Sequence, residues 1–191
     1  WQVHALCLMP NHFHLVLETP QPTLVEGMKW FLGTYTGRFN RRHQLFGHLF
    51  SGRYKSLVVD GSGTGYLRTV CDYVHLNPAR AGLLGMAEPT LESYRWSSYP
   101  QFVRGSGLPV WLWRREVFGR LQLPDEGAGS RRRYGAWMAR RTREVMERTA
   151  TPAARTHTAC RPGRAPGAPP CRPSDRRTGA TLRCARRPPL G

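Results

Sequence analysis

The stretch Gln2-Val3-His4-Ala5-Leu6-Cys7-Leu8-Met9-Pro10-Asn11-His12-Phe13-His14-Leu15-Val16-Leu17-Glu18 decides how this chain folds. It reads as two alternating runs, Gln2–Leu8 and His12–Glu18, joined by the turn Met9-Pro10-Asn11. A loop of that length pairs Leu8 with His12 and Leu6 with His14. One face then gathers Val3, Ala5, Cys7, Phe13, Leu15 and Leu17, which predicts a core. The other carries Gln2, His4, Leu6, Leu8, His12, His14, Val16 and Glu18, a mixed face suited to a site. Positions i and i+2 of a strand share a face, so His12 and His14 point the same way about 7 Å apart. Such a pair suits two ligands of one metal, although two histidines that alternate by chance look the same.

Outward from the hairpin, Thr23 and Glu26 form a capping box, followed by Leu24, Met28, Phe31, Leu32, Tyr35 and Phe39 at helical spacing. That helix ends in Arg38, Arg41 and Arg42. A loop over Gly47–Arg53 leads to a predicted strand, Tyr54–Val59. A second helix is predicted from about Gly65 to Leu76, stopping before Pro78. Tyr66, Val70, Tyr73 and Asn77 lie along one stripe of it, beside an apolar stripe of Leu67, Cys71 and Val74. Residues 85–149 read as a smaller helical accessory region, with Trp96, Trp111, Trp113, Phe118 and Trp137 as packing candidates.

The whole chain, 191 residues, has 40% hydrophobic residues, enough to build a packed interior. Its formal charge is +17, which points to a polyanionic partner, and only Lys29 and Lys55 among the basic residues are lysines. Residues 150–191 hold nine arginines, eight prolines and one acid, Asp175, and no aromatic residue. A segment of that composition buries too little surface to offset chain entropy, so disorder is predicted there. The remaining residues stay basic without it. No run is long and apolar enough to span a membrane. Cys7, Cys71, Cys160, Cys171 and Cys184 make no Cys-x-x-Cys and no paired framework, as expected of a reducing, cytoplasmic setting.

Two runs, Leu8-Met9-Pro10-Asn11-His12-Phe13-His14-Leu15 and Tyr73-Val74-His75-Leu76-Asn77-Pro78-Ala79-Arg80-Ala81-Gly82, resemble the REP-associated tyrosine transposases. These are single-tyrosine, His-hydrophobe-His enzymes of bacteria that act on single-stranded DNA. Phe50-Ser51-Gly52-Arg53-Tyr54-Lys55-Ser56 and Trp96-Ser97-Ser98-Tyr99 are similar to that family in the same order. The resemblance covers roughly residues 1–115. It implies an α+β fold: a ferredoxin-like antiparallel sheet with helices packed on it. The family carries a further strand and helix ahead of the position of Trp1, so a front-truncated sheet is expected. Residues 1–84 would be the catalytic core, 85–149 the accessory region and 150–191 the tail.

By position, the resemblance makes His12 and His14 metal ligands with Asn77 third, and Tyr73 the nucleophile. It implies Mg²⁺ or Mn²⁺, a single-stranded or hairpin DNA partner, no membrane, a nucleoid-associated location, and a monomer or homodimer. Tyr73 would attack phosphorus to leave a 5′-phosphotyrosine and a free 3′-hydroxyl, conserving bond energy for rejoining. A phenol has a pKa near ~10, so its proton must leave as it attacks. His75 lies almost opposite Tyr73 on the helical wheel and suits that role poorly. His4 or a bound water remain as acceptors. Arg38, Arg41, Arg42, Arg53 and Lys55 are the predicted phosphate contacts, with Phe50 and Tyr54 available for base stacking. Three other readings stay open: a non-catalytic nucleic-acid-binding module, a metal-dependent phosphodiester hydrolase using activated water, and a decayed, inactive transposase.

Overall fold

A computed structural model describes residues 1–60, 65–85, 90–105, 107–119, 122–123, 127–150 and 181–186. Strands β1 (Gln2–Leu8) and β2 (Phe13–Glu18) form the expected antiparallel hairpin, in a different register. Leu8 faces Phe13, Cys7 faces His14, Leu6 faces Leu15 and Ala5 faces Val16. The Met9 N–H donates to the His12 carbonyl at 2.8 Å, so the turn takes in His12 itself. His4 falls at a bulge between Val3 and Ala5. The expected division of faces fails with the register. Leu6 and Leu8 join Phe13, Leu15 and Leu17 in one core, while Ala5 and Cys7 share a face with His14 and Val16. The reason is physical: β2 is buried along its whole length, and a sheet covered on both faces offers no polar side to fix the pairing.

Helix α1 (Leu24–His43) covers one face, packing Met28, Phe31 and Leu32 on Phe13, Leu15 and Leu17. The capping box at its start does not form; the Thr23 hydroxyl instead accepts the Trp1 indole N–H at 3.3 Å. Helix α2 (Tyr66–Arg80) covers the other face through Val70, Cys71 and Val74. It runs on through Pro78 rather than stopping at Leu76. Proline lacks the N–H that would bond the Val74 carbonyl. The Asn77 side-chain amide donates to that carbonyl instead, at a long 3.4 Å, which lets the helix continue.

Strand β3 (Lys55–Asp60) follows α1, and a fourth strand, β4 (Thr181–Arg186), lies between β2 and β3, parallel to both. The sheet order is therefore β1-β2-β4-β3, mixed rather than antiparallel throughout. The β2–α1–β3 connection lays two parallel strands one strand-width apart, and β4 fills the gap. The disorder expected over 150–191 thus gives way to a strand at Thr181–Arg186, a stretch free of Pro and Gly. Residues 151–180 and 187–191 lie outside the described residues.

A 3₁₀ turn at Leu91–Ser93 and helices α3 (Tyr99–Val103), α4 (Arg115–Gly119) and α5 (Ala128–Ala150) pack on the outer side of α2. Their core is Tyr99, Phe102, Phe118, Tyr134 and Met138, continuous with the α2 core. Of the predicted packing residues only Phe118 is fully buried; Trp96, Trp111 and Trp113 are exposed. Residues 111–113 run strand-like along β1, with the Val3 N–H donating to the Trp111 carbonyl and the Trp113 N–H to the Val3 carbonyl. Alternation then turns Leu112 inward and both tryptophans outward. Among the described residues no helix is long and apolar enough to cross a membrane.

A buried polar chain pins α2 to β1 and α5. His75 Nε2 stands 2.9 Å from Ser98 Oγ and its Nδ1 3.0 Å from the Tyr134 hydroxyl, while Ser98 Oγ accepts the Leu6 N–H at 2.9 Å. Tyr134 donates to Asp72 Oδ1 at 3.5 Å and the Trp137 indole to Oδ2 at 3.1 Å. One arrangement satisfies every member: Leu6 N–H to Ser98, Ser98 O–H to His75, His75 Nδ1–H to Tyr134, Tyr134 O–H to Asp72. Burial pushes the Asp72 carboxyl up, opposed by Trp137, Arg141, Arg68 and Tyr134. Burial lowers His75 from 6.5 to about 3, so it stays neutral.

Two outcomes follow in urea unfolding. The folded pKa of His75 lies below the unfolded one, so its share of stability is whole above about pH 6.5 and drains away as pH falls toward 3. Between pH 7 and pH 5, His75→Gln should therefore lose about 2 kcal/mol less stability than the parent. Separately, Asn77→Ala should cost about 1 kcal/mol by orphaning the Val74 carbonyl, and Pro78→Ala in the same chain should recover most of it. An undiminished cost in the double variant contradicts the capping role.

Candidate active site

His12 closes the β1–β2 turn and His14 lies on β2, so the two imidazoles do not stand side by side on one strand as expected. They approach more closely: Nε2 to Nε2 is 3.1 Å, with ring centroids 4.8 Å apart and planes at 83°. His12 Nδ1 lies 2.7 Å from Asn11 Oδ1, an acceptor, so Nδ1 carries the proton and Nε2 presents a lone pair. His14 is buried beneath α2, and its ring meets that of Tyr73 edge-on, centroids 6.0 Å apart. The register that sets Cys7 opposite His14 is what turns His14 toward α2.

Tyr73 is half-buried on α2, with the Arg80 guanidinium 4.8 Å over its ring. Asn77 follows one turn later and is 7% exposed. Its Nδ2 is committed to the Val74 carbonyl, which leaves Oδ1 as the acceptor of that amide. His12, His14 and Tyr73 are thus brought together, with Asn77 next on the same helix.

Whether this donor set suits a divalent cation is tested by the spacing of the nitrogens. Two nitrogens bound at right angles to one cation, each at ~2.1 Å, stand about 3 Å apart. The observed 3.1 Å between the two Nε2 atoms fits. The Asn11 acceptor behind His12 is the outer partner that ligating histidines normally have. Among the described residues no group of three His, Cys, Asp or Glu is placed to hold a metal, and Asn77 Oδ1 is an oxygen acceptor on the helix that packs over His14.

Other candidates fall away. His4 sits at the far end of the hairpin, Nδ1 3.2 Å from the Trp113 carbonyl and Nε2 3.6 Å from Glu18, and does not reach Tyr73's neighbourhood as a proton acceptor. His75 is fully buried in its own network. Burial pushes the Cys7 thiol up to about 12 and raises Cys71, so neither is a nucleophile near neutral pH. Arg38, Arg41, Arg42, Arg53 and Lys55 are all exposed, whereas Phe50 and Tyr54 spend part of their surface packing on the α1 core. Asn11 and Arg80 are the residues that reading the sequence missed. Arg80 was accessible by helical spacing, since Tyr73, Asn77 and Arg80 fall at i, i+4 and i+7; Asn11 left no signal beyond its place next to His12.

Neither a curated protein nor a solved structure matches the chain. The family model described as Transposase IS200 like matches residues 1–77. That span runs from β1 through most of α2 and ends at Asn77, so it takes in both histidines and the tyrosine. Over residues 1–77, about two-fifths of its length, the chain is therefore similar to the IS200-like transposases.

Proposed function

We propose that this chain is a REP-associated tyrosine transposase that cleaves and rejoins single-stranded, hairpin-forming DNA through Tyr73. The observation that carries the reading is the convergence of His12 Nε2, His14 Nε2 and the Tyr73 ring where β2 meets α2. His12, His14 and Asn77 would hold the cation, Mg²⁺ or Mn²⁺. Bound there, it would polarise a phosphate oxygen as a Lewis acid. Asn11 fixes the His12 tautomer so that Nε2 is the ligating atom. The packing of α2 against the sheet holds the Tyr73 ring against His14, and the Arg80 guanidinium over that ring supplies a positive charge beside the reacting phosphate.

In the step itself, Tyr73 Oη forms a bond to phosphorus as the bond from phosphorus to the 3′ oxygen breaks. The phenol proton is lost to solvent and the departing oxygen ends as a 3′-hydroxyl. Rejoining is the reverse reaction with a new 3′ end, and no nucleotide cofactor enters. The ferredoxin-like plan fits the parallel β2–α1–β3 unit. The exposed Arg38, Arg41, Arg42, Arg53 and Lys55 would carry the strand's phosphates, so affinity should fall steeply as salt rises.

The test uses a labelled pool of randomised hairpin oligonucleotides with Mn²⁺. The full chain should give a protein–DNA adduct that survives a denaturing gel, and Tyr73→Phe should give none. Cleavage without an adduct would contradict the reading and favour attack by water. Calorimetric titration with Mn²⁺ alone should show Asn11→Ala binding about tenfold more weakly, and His14→Ala more weakly still. Unchanged affinity in His14→Ala would remove the proposed metal centre.

A further inference from the structure

Beside His12, on the α1 side of the hairpin, lies a cavity of about 250 Å³ that the proposed chemistry does not use. Its walls include Pro10, Asn11 and His12 from the turn, Tyr35 and Phe39 from α1, and Phe50. We infer that this cavity is a subsite for one unstacked nucleobase of a single DNA strand whose phosphate lies at His12 and His14. The inference deepens the proposed function and rests on it for the identity of the strand.

Size, shape, position and charge carry the argument. The cavity is smaller than the ~300–1,000 Å³ that accommodates drug-sized ligands, so it suits one flat ring system. Its aromatic wall is ordered: the Tyr35 and Phe39 rings lie within 24° of parallel, and Tyr35 meets Phe50 at 5.9 Å. Tyr35 nevertheless stays 45% exposed, a large ring on the rim of an apolar hollow. His12 belongs both to this wall and to the imidazole pair, so a molecule filling the cavity is contiguous with one bound at the pair.

Asn11 gives the site a polar edge. Asn11 lines the cavity, and with its Oδ1 occupied by His12 the amide keeps Nδ2 as a donor for a base carbonyl or ring nitrogen. The same helix that supplies Tyr35 and Phe39 carries exposed Arg38, Arg41 and Arg42, which favour a polyanion over a basic or neutral apolar partner. Aromatic walls beside phosphate-binding arginines are the arrangement by which single strands are held without base-specific hydrogen bonding.

The experiment uses full-length Tyr73→Phe protein in EDTA, so neither cleavage nor metal enters the readout. A thymidine oligonucleotide carrying one 5-iododeoxyuridine is bound, irradiated and mapped by mass spectrometry. Cross-links should fall on Tyr35, Phe39 or Phe50. In binding assays, Tyr35→Ala should weaken the thymidine oligonucleotide at least about fivefold while leaving an abasic oligonucleotide of equal length unaffected. Cross-links confined to other surfaces, such as exposed Trp30 or Trp96, overturn the inference even if Tyr35→Ala misfolds. Failure to bind any single strand overturns it together with the proposed function. An adduct at Tyr73 in the parent with cross-links elsewhere sinks the subsite alone. Cross-links in the cavity with no adduct in the parent sink strand cleavage alone.

Discussion

Everything at the candidate site depends on how α2 is pressed onto the β1–β2 hairpin. Ala5, Cys7 and Val16 present a small apolar surface, and Val70, Cys71 and Val74 close over it. These are small side chains, so the helix comes near enough for Tyr73, at the edge of the contact, to meet the His14 ring. Area removed from water is the driving term, and it is indifferent to rotation of the helix about its axis. Directional bonds supply what the apolar contact lacks. Ser98 takes the Leu6 N–H from β1 and joins His75 on α2, while Asp72 on the same helix holds Tyr134 and Trp137 of α5.

The same helix resolves a conflict between continuity and chemistry. Pro78 removes a backbone donor within the last turns of α2, and Asn77 supplies a side-chain donor in its place. This bond orients the Asn77 amide, so the residue that repairs the helix is left with Oδ1 as its acceptor atom. Position and polarity are set by one long hydrogen bond. A carboxylate at position 77 would lose the donor that the Val74 carbonyl needs.

Much of this arrangement was legible in the sequence, and the failures have physical causes. Alternation in Gln2–Leu8 and in the run ending at Glu18 identified the hairpin, and the spacing of Leu24, Met28, Phe31 and Leu32 identified α1. Register was not legible, because Leu6, Leu8, Ala5 and Cys7 are all apolar and both faces are covered. Pro78 hid the last turn of α2, since its repair depends on a side chain whose role no spacing reveals. Trp111 and Trp113 looked like core residues by size, but strand-like alternation beside β1 gave the buried place to Leu112. Strand β4 depends on a gap made by distant elements, which composition of the tail does not register. At the candidate site, residue type and resemblance pointed to His12, His14 and Tyr73, and helical spacing could have added Arg80; the closeness of the rings and the place of Asn11 came only with the fold.

The most direct measurement of the central claim is paramagnetic broadening by Mn²⁺ in protein carrying labelled tyrosine rings. The chain has seven tyrosines spread over the described fold, which makes each an internal control for the others. Substoichiometric Mn²⁺ should broaden the Tyr73 ring signals most strongly and leave Tyr134, on the outer side of α2, sharp. Tyr73 signals as sharp as those of Tyr134 under saturating Mn²⁺ would mean that the imidazole pair and the phenol do not form one site.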